Sequence, residues 1–173
     1  NKMPYETTVN VIAPDGAYML LGNIAVNGGT DQILDYGETG SLYTTFENVG
    51  QDPSGDLTFT LIHEAGMVTL NSNVIQNGSI AAGAEVTIGP FEFQVSWNVD
   101  DGGLIPFIIQ ATDNIETWEY ELNIPVEAPD YNLMSVDFLD LGNGTLDPGE
   151  TTTMQLVLTN VGHSPVSYPT FEA

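Results

Sequence analysis

Two acidic turns in this chain place oxygen-bearing side chains at spacings suited to a hard cation. The second opens the stretch "NGTLDPGETTTMQLVLTNVG", from Asn143 to Gly162. With Glu150 as the closing ligand of an EF-hand-like calcium loop, Asp147, Thr145 and Asn143 fall on alternating ligand positions and Gly144 on the sharp bend. The first half of that pattern is missing, because Leu139 and Leu141 stand where its ligands belong, with Asp140 one place out of register. The earlier stretch "DQILDYGETGSLYTTFENVG", from Asp31 to Gly50, keeps Asp31, Asp35 and Glu38 but has Gln32 in place of the glycine. One reading of both turns is a calcium site completed by a carboxylate from a neighbouring loop. The other is a tight strand-to-strand turn whose Asp and Glu cap backbone amides.

Other chemistry has little to work with. Cysteine is absent and histidine occurs only at His63 and His163, which excludes thiolate chemistry and a multi-histidine zinc site. His63-Glu64 lacks the second histidine of a zinc-protease helix, and no G-x-S-x-G elbow is present. Acidic residues abound, yet none is singled out as half of a catalytic pair, so the chain reads as non-catalytic. Asp100 and Asp101 in "NVDDGG", with Asp52, Asp56, Asp113 and Glu116, read as solvated loop residues. A carbohydrate platform would draw on Trp97, Trp118, Tyr120, Tyr43 and Tyr36. Trp97 and Trp118 are in phase with apolar neighbours and are expected in the core, whereas Tyr36 sits in a turn and is expected at the surface.

The charge balance narrows the partners. There are 24 acidic residues against one basic residue, Lys2, and a net charge of -23. Nucleic acid and anionic membranes both require Lys/Arg patches, so neither is an expected partner. No apolar run approaches the roughly 18 residues of a membrane-spanning helix. Crowded carboxylates without salt-bridge partners favour a cation-rich, extracellular setting.

The elements that position these turns alternate with a period of two. "VTIGPFEFQVSW" sets Val86, Ile88, Phe91, Phe93, Val95 and Trp97 on one face, with an adjustment at Gly89-Pro90. "TWEYELNIPV" does the same with Trp118, Tyr120, Leu122 and Ile124. The pattern predicts strands near 18–26, 39–48, 56–63, 67–75, 84–97, 104–111 and 116–126, and no sustained helical period. Short strands punctuated by Gly, Asn, Asp and Pro predict an all-β chain, an antiparallel immunoglobulin-like β-sandwich.

The acidic turn repeats because the domain does. Asp35 matches Asp147 and Glu38 matches Glu150 at an offset of 112 (147 − 35). Over the two twenty-residue stretches eight positions are identical, from Leu34 to Gly50 with their partners. "APD" at Ala13–Asp15 matches "APD" at Ala128–Asp130 at an offset of 115 (128 − 13), so a three-residue length change lies between the anchors. Residues 1–13 therefore read as the last strand of a preceding repeat, 14–127 as one complete repeat, and 128–173 as the N-terminal part of the next.

The N-G-x-L-D-P-G-E turn at Asn143–Glu150, followed by a strand and Asn160-Val161-Gly162, resembles the Ig-like, CARDB-type (cell-adhesion-related) modules of secreted bacterial and archaeal proteins. These include modules trailing gingipain-like peptidases. Asp31–Glu38 with Asn48-Val49-Gly50 carries the same phrase in part. The resemblance implies an extracellular, tandem-repeat, calcium-stabilised β-sandwich acting as a spacer, adhesion or assembly unit. Its partners would be neighbouring repeats or copies of itself. Two alternatives stand beside it: a carbohydrate- or ligand-binding accessory module of a secreted hydrolase or peptidase, and a fibre subunit completed by strand exchange.

Overall fold

The alternation of apolar and polar residues builds eleven strands and no helix among the residues that the computed structural model describes, which are 15–28, 33–64, 66–139 and 145–166. The strands are β1 (Met19–Gly28), β2 (Leu34–Asp35), β3 (Thr39–Asn48), β4 (Leu57–Ile62), β5 (Val68–Ser72) and β6 (Val74–Asn77). They continue with β7 (Glu85–Val95), β8 (Gly103–Thr112), β9 (Thr117–Glu127), β10 (Tyr131–Leu139) and β11 (Thr153–Asn160). One sheet has the order β1-β3-β7-β5 and a second the order β2-β9-β8-β4-β6, while β10 and β11 pair only with each other. All pairings are antiparallel except β2 with β9.

The two larger sheets share one core. Phe46 of β3 meets Phe59 of β4 with ring centroids 4.7 Å apart, and Phe93 of β7 meets Phe107 of β8 at 5.1 Å. All four rings are buried, each worth about 1.5–3 kcal/mol of transfer free energy. On β7 the phase survives across Gly89-Pro90, whose peptide is cis. Leu42 pairs with Phe91 and Thr44 with Ile88, so the extra residues oppose Tyr43 and both flanking apolar side chains still point inward. The architecture is thus all-β and sandwich-like. No described helix is long and apolar enough to cross a membrane.

Two sequence expectations need correction here. The single strand expected over 67–75 is two strands in different sheets: β5 pairs with β7 and β6 with β4. The chain crosses over at Asn73, whose backbone oxygen accepts from the Leu61 amide at 2.8 Å and whose side-chain amide donates to the Leu61 carbonyl at 3.3 Å. Alternation in so short a run reports strand, not sheet membership. Trp97, expected in the core, is 71% exposed, because β7 ends at Val95 and the inward phase ends with it. Trp118 is buried as expected.

The β10–β11 pair reproduces β1–β3 residue for residue. Met19↔Asn48, Leu21↔Phe46, Ile24↔Thr44 and Val26↔Leu42 become Tyr131↔Asn160, Leu133↔Leu158, Val136↔Leu156 and Phe138↔Met154, all at an offset of 112 (131 − 19). Each pair even carries its register shift at the same place, after Leu21 and after Leu133. The three-residue length change therefore falls wholly ahead of Met19. The difference between the pairs is cover: Met19, Leu42 and Phe46 are fully buried, whereas Leu133, Phe138, Met154 and Leu156 are exposed. The strand expected in 1–13 lies outside the described residues.

Candidate functional site

Both acidic turns close on themselves. The Glu38 carboxylate accepts from the Asp35 amide at 3.1 Å, and the Glu150 carboxylate from the Asp147 amide at 2.9 Å. The Glu amides in turn donate to the Asp carbonyls at 3.2 Å and 3.0 Å. Gly37 and Gly149 supply the positive φ, 70° and 93°, that this reciprocal turn requires. Capping thus engages one oxygen of each glutamate and leaves a second for another ligand. Among the described residues no three His, Asp or Glu side chains converge as a metal-holding group. Of the predicted ligands, Thr145, Asp147, Glu150, Asp35 and Glu38 are described, and Asp31, Asp140 and Asn143 (with Gly144 and Gln32) lie outside the described residues.

The asparagines that end "ENVG" and "TNVG" also do the same job twice. Asn48 Oδ1 accepts from the Tyr18 and Gly50 amides, both at 3.0 Å, and Asn160 Oδ1 from the Asp130 and Gly162 amides, both at 3.1 Å. Asn48 Nδ2 donates to the Asp52 carbonyl at 2.9 Å, and Asn160 Nδ2 to the Ser164 carbonyl at 2.8 Å. Each pins the chain that enters its strand pair. The following glycine lets it pass: a Cβ on Gly50 would overlap the Gly16 carbonyl oxygen, and one on Gly162 the Ala128 carbonyl oxygen.

The first acidic turn gains partners that no spacing foretells. The Asp35 carboxylate accepts from the Ser164 hydroxyl, and the Tyr36 hydroxyl donates to the Pro165 carbonyl at 3.2 Å. Nearby, the Asp101 carboxylate accepts from the Ala128 amide at 3.0 Å and the His163 amide at 3.1 Å, while its other oxygen lies 2.7 Å from His163 Nδ1. Three loops of the β1–β9 body (the acidic turn, the β7–β8 loop and the segment leaving β9) therefore grip the loop after β11. Asp101, read from sequence as a solvated turn residue, is the hub of this joint. The Ala128 amide, ahead of the His163 contacts and against some burial, holds its carboxyl below the usual range. The His163 imidazole is raised by its hydrogen bond to Asp101, helped by the charges of Asp101 and Glu127.

Asp113 is a second such case. It is 8% exposed and accepts from the Ile115, Glu116 and Gly55 amides at 3.0, 2.9 and 3.2 Å. Burial pushes its carboxyl up, but the amides of Glu116, Ile115 and Gly55 outweigh it and the net shift is downward. Tyr36, expected at the surface, is half-buried by its contact with Trp97 at 5.4 Å and by the joint.

An open groove of about 290 Å³ lies away from the joint, lined by His63, Pro106, Phe107, Glu121 and Leu122 among others. Its one histidine is spent structurally. Nδ1 lies 2.7 Å from the Pro106 carbonyl oxygen and Nε2 3.0 Å from the Met67 amide nitrogen, so both ring nitrogens are engaged by the backbone.

No protein-family model matches the chain, and no curated protein matches it either.

Proposed function

We propose that the chain is a non-catalytic, extracellular module of tandem immunoglobulin-like repeats, in which each repeat's acidic turn receives the loop of the next. The observation that carries this reading is the grip on Ser164, Pro165 and His163 by Asp35, Tyr36 and Asp101, set in a frame repeated at one offset. A spacer or assembly unit needs such directional joints more than it needs a cavity. Backbone relaxation in solution tests it: β1–β9 and β10–β11 amides tumble with one correlation time, and the double variant Asp35→Ala/Asp101→Ala splits them into two. Independent tumbling in the unmodified chain sinks the reading. Calcium fits as a further stiffener, since each turn keeps a glutamate oxygen beyond the one used in capping.

A carbohydrate-binding role is a second reading, favoured by Trp97. One edge of its ring lies over Gly37 and Tyr36, and the rest is open to solvent as a stacking surface. A glycan array with no signal lost on Trp97→Ala removes that reading.

A further inference from the structure

The outward face of β8 is apolar where a solvated sheet would be polar. Ile105, Phe107 and Ile109 are buried in the core, so Leu104, Pro106, Ile108 and Gln110 project to the other side, and three of these four are apolar. Directly paired residues share a face in an antiparallel sheet, which puts Ile62 of β4 and Glu121 of β9 on either side of Ile108. The ladder between β4 and β8 stops at that Ile62–Ile108 pair. Pro106 would come next, and it has no amide to donate. Its carbonyl oxygen lies instead 2.7 Å from His63 Nδ1, as the chain leaves the sheet. The open groove of about 290 Å³ lies at this departure point.

Two carboxylates border this apolar strip. Glu64 and Glu121 both line the groove and are exposed. Neither has a hydrogen-bond partner among the described residues, whereas the neighbouring Glu119 accepts from the Gln110 side-chain amide at 2.8 Å. The chain itself has little to offer them, with 24 acidic residues against one basic residue, Lys2, and no arginine at all. An apolar strip edged by two carboxylates complements a group that is apolar along its length and cationic at its end. The volume is at the small end of the roughly 300–1,000 Å³ of small-molecule pockets, which suits one long side chain.

We propose that this groove binds an arginine side chain presented by a basic segment of another protein, its stem on Pro106 and Ile108 and its guanidinium between Glu64 and Glu121. Arginine suits the site better than lysine. Its guanidinium is planar and weakly hydrated and carries donors enough for two carboxylates, while its flat face can rest on apolar surface. A second copy of this chain cannot supply it, because the sequence has no arginine and copies of net charge -23 repel each other. The field of the acidic surface draws a basic segment in, and the groove then selects the side chain that fits. The groove lies away from the joint, so the inference goes beyond the repeat-module reading and does not rest on it.

The test titrates the full chain with N-acetyl-L-arginine amide, and with the uncharged isostere N-acetyl-L-citrulline amide as control, followed by methyl NMR. Saturable shifts are expected at the Ile62, Ile108 and Leu122 methyls, with the citrulline compound binding at least about tenfold more weakly. Glu121→Gln weakens arginine binding about tenfold, and Ile108→Thr about threefold by shrinking the apolar strip. Glu92→Gln, on the exposed side of β7 in the other sheet, leaves it within about twofold because a remote surface charge is screened. Near-UV circular dichroism confirms that each variant keeps its core. Citrulline binding as tightly as arginine overturns the inference, since it leaves an apolar groove without charge recognition. Equal losses in Glu92→Gln and Glu121→Gln also overturn it, since they point to the overall acidic field and not to this site. So does the absence of saturable shifts at the three methyls.

Discussion

His163 Nδ1 lies 2.7 Å from the Asp101 carboxylate across 62 positions of sequence, and this contact ties the β11 exit to the β7–β8 loop. Its two partners shift in opposite directions, Asp101 downward from 3.8 and His163 upward from 6.5. The His163 contribution is full below the unfolded imidazole value and is lost as pH rises through the raised folded one. The Asp101 contribution is full above the unfolded carboxyl value and is lost as pH falls through the lowered folded one. The joint is therefore tightest between those two unfolded values. NMR titration of the His163 ring is expected to give a midpoint above 6.5 that falls in Asp101→Asn. An unchanged midpoint in that variant removes the pair. The ring is 68% exposed, so added salt weakens the effect.

Asn48 and Asn160 make equivalent hydrogen bonds at different depths. Asn48 is fully buried and donates a further bond to the Ile80 carbonyl at 2.9 Å, whereas Asn160 is exposed. Asn48→Ala strands several buried amides and carbonyls, at a cost of about 1–3 kcal/mol or more. Asn160→Ala lets water replace what is lost and costs less than about 1 kcal/mol. Chemical denaturation of both variants checks the ranking, and equal losses contradict the depth argument.

Gly50 and Gly162 are sites of close approach. Gly50→Ala drives a methyl group into the Gly16 carbonyl and is expected to lower Tm by several degrees, since the neighbouring backbone must move. Gly162→Ala meets the Ala128 carbonyl and loosens the joint without melting the β1–β9 core. Hydrogen exchange separates the outcomes: protection is lost near β1 in the first variant and near β10 in the second.

Tyr120 bridges the sheets through its hydroxyl on the Met19 carbonyl. Burial, with a smaller push from Tyr18, raises its phenol to about 12. Ultraviolet titration is expected to leave one tyrosine un-ionised when the exposed ones have titrated, and Tyr120→Phe removes that late step. The same substitution costs about 1–3 kcal/mol by leaving the Met19 carbonyl without this donor.

Calcium binding at the turns predicts a rise in Tm with added ion, reversed by chelator and lost in Glu38→Gln and Glu150→Gln. A hundredfold excess over the dissociation constant stabilises by about 2.7 kcal/mol. Identical melting with and without chelator removes the cation from the function.

Period-two alternation was enough to locate most strands of the β1–β9 body, because a half-buried strand must present apolar side chains at every second position. It misplaced Trp97, since periodicity does not say where a strand stops, and it fused β5 with β6, since it does not say which sheet a strand joins. The reciprocal Asp/Glu turn was one of two readings available from "LDPGE", because such a turn needs only residues three apart and a glycine. Nothing marked Asp101 or Asp113 among the other loop carboxylates. Their roles depend on amides far away in sequence, and one acidic loop residue looks much like another.

By itself, then, the sequence determined the all-β character of the described residues and the recurrence of the acidic turn and N-x-G motif at one offset. Those are local matters of alternation, turn chemistry and self-similarity. Only the tertiary structure decided that the first acidic turn holds the loop after β11, and that the apolar face of β1–β3 is buried while that of β10–β11 is exposed. Both depend on which distant segments meet, and the free energy of that meeting belongs to surfaces that exist only once the strands have paired.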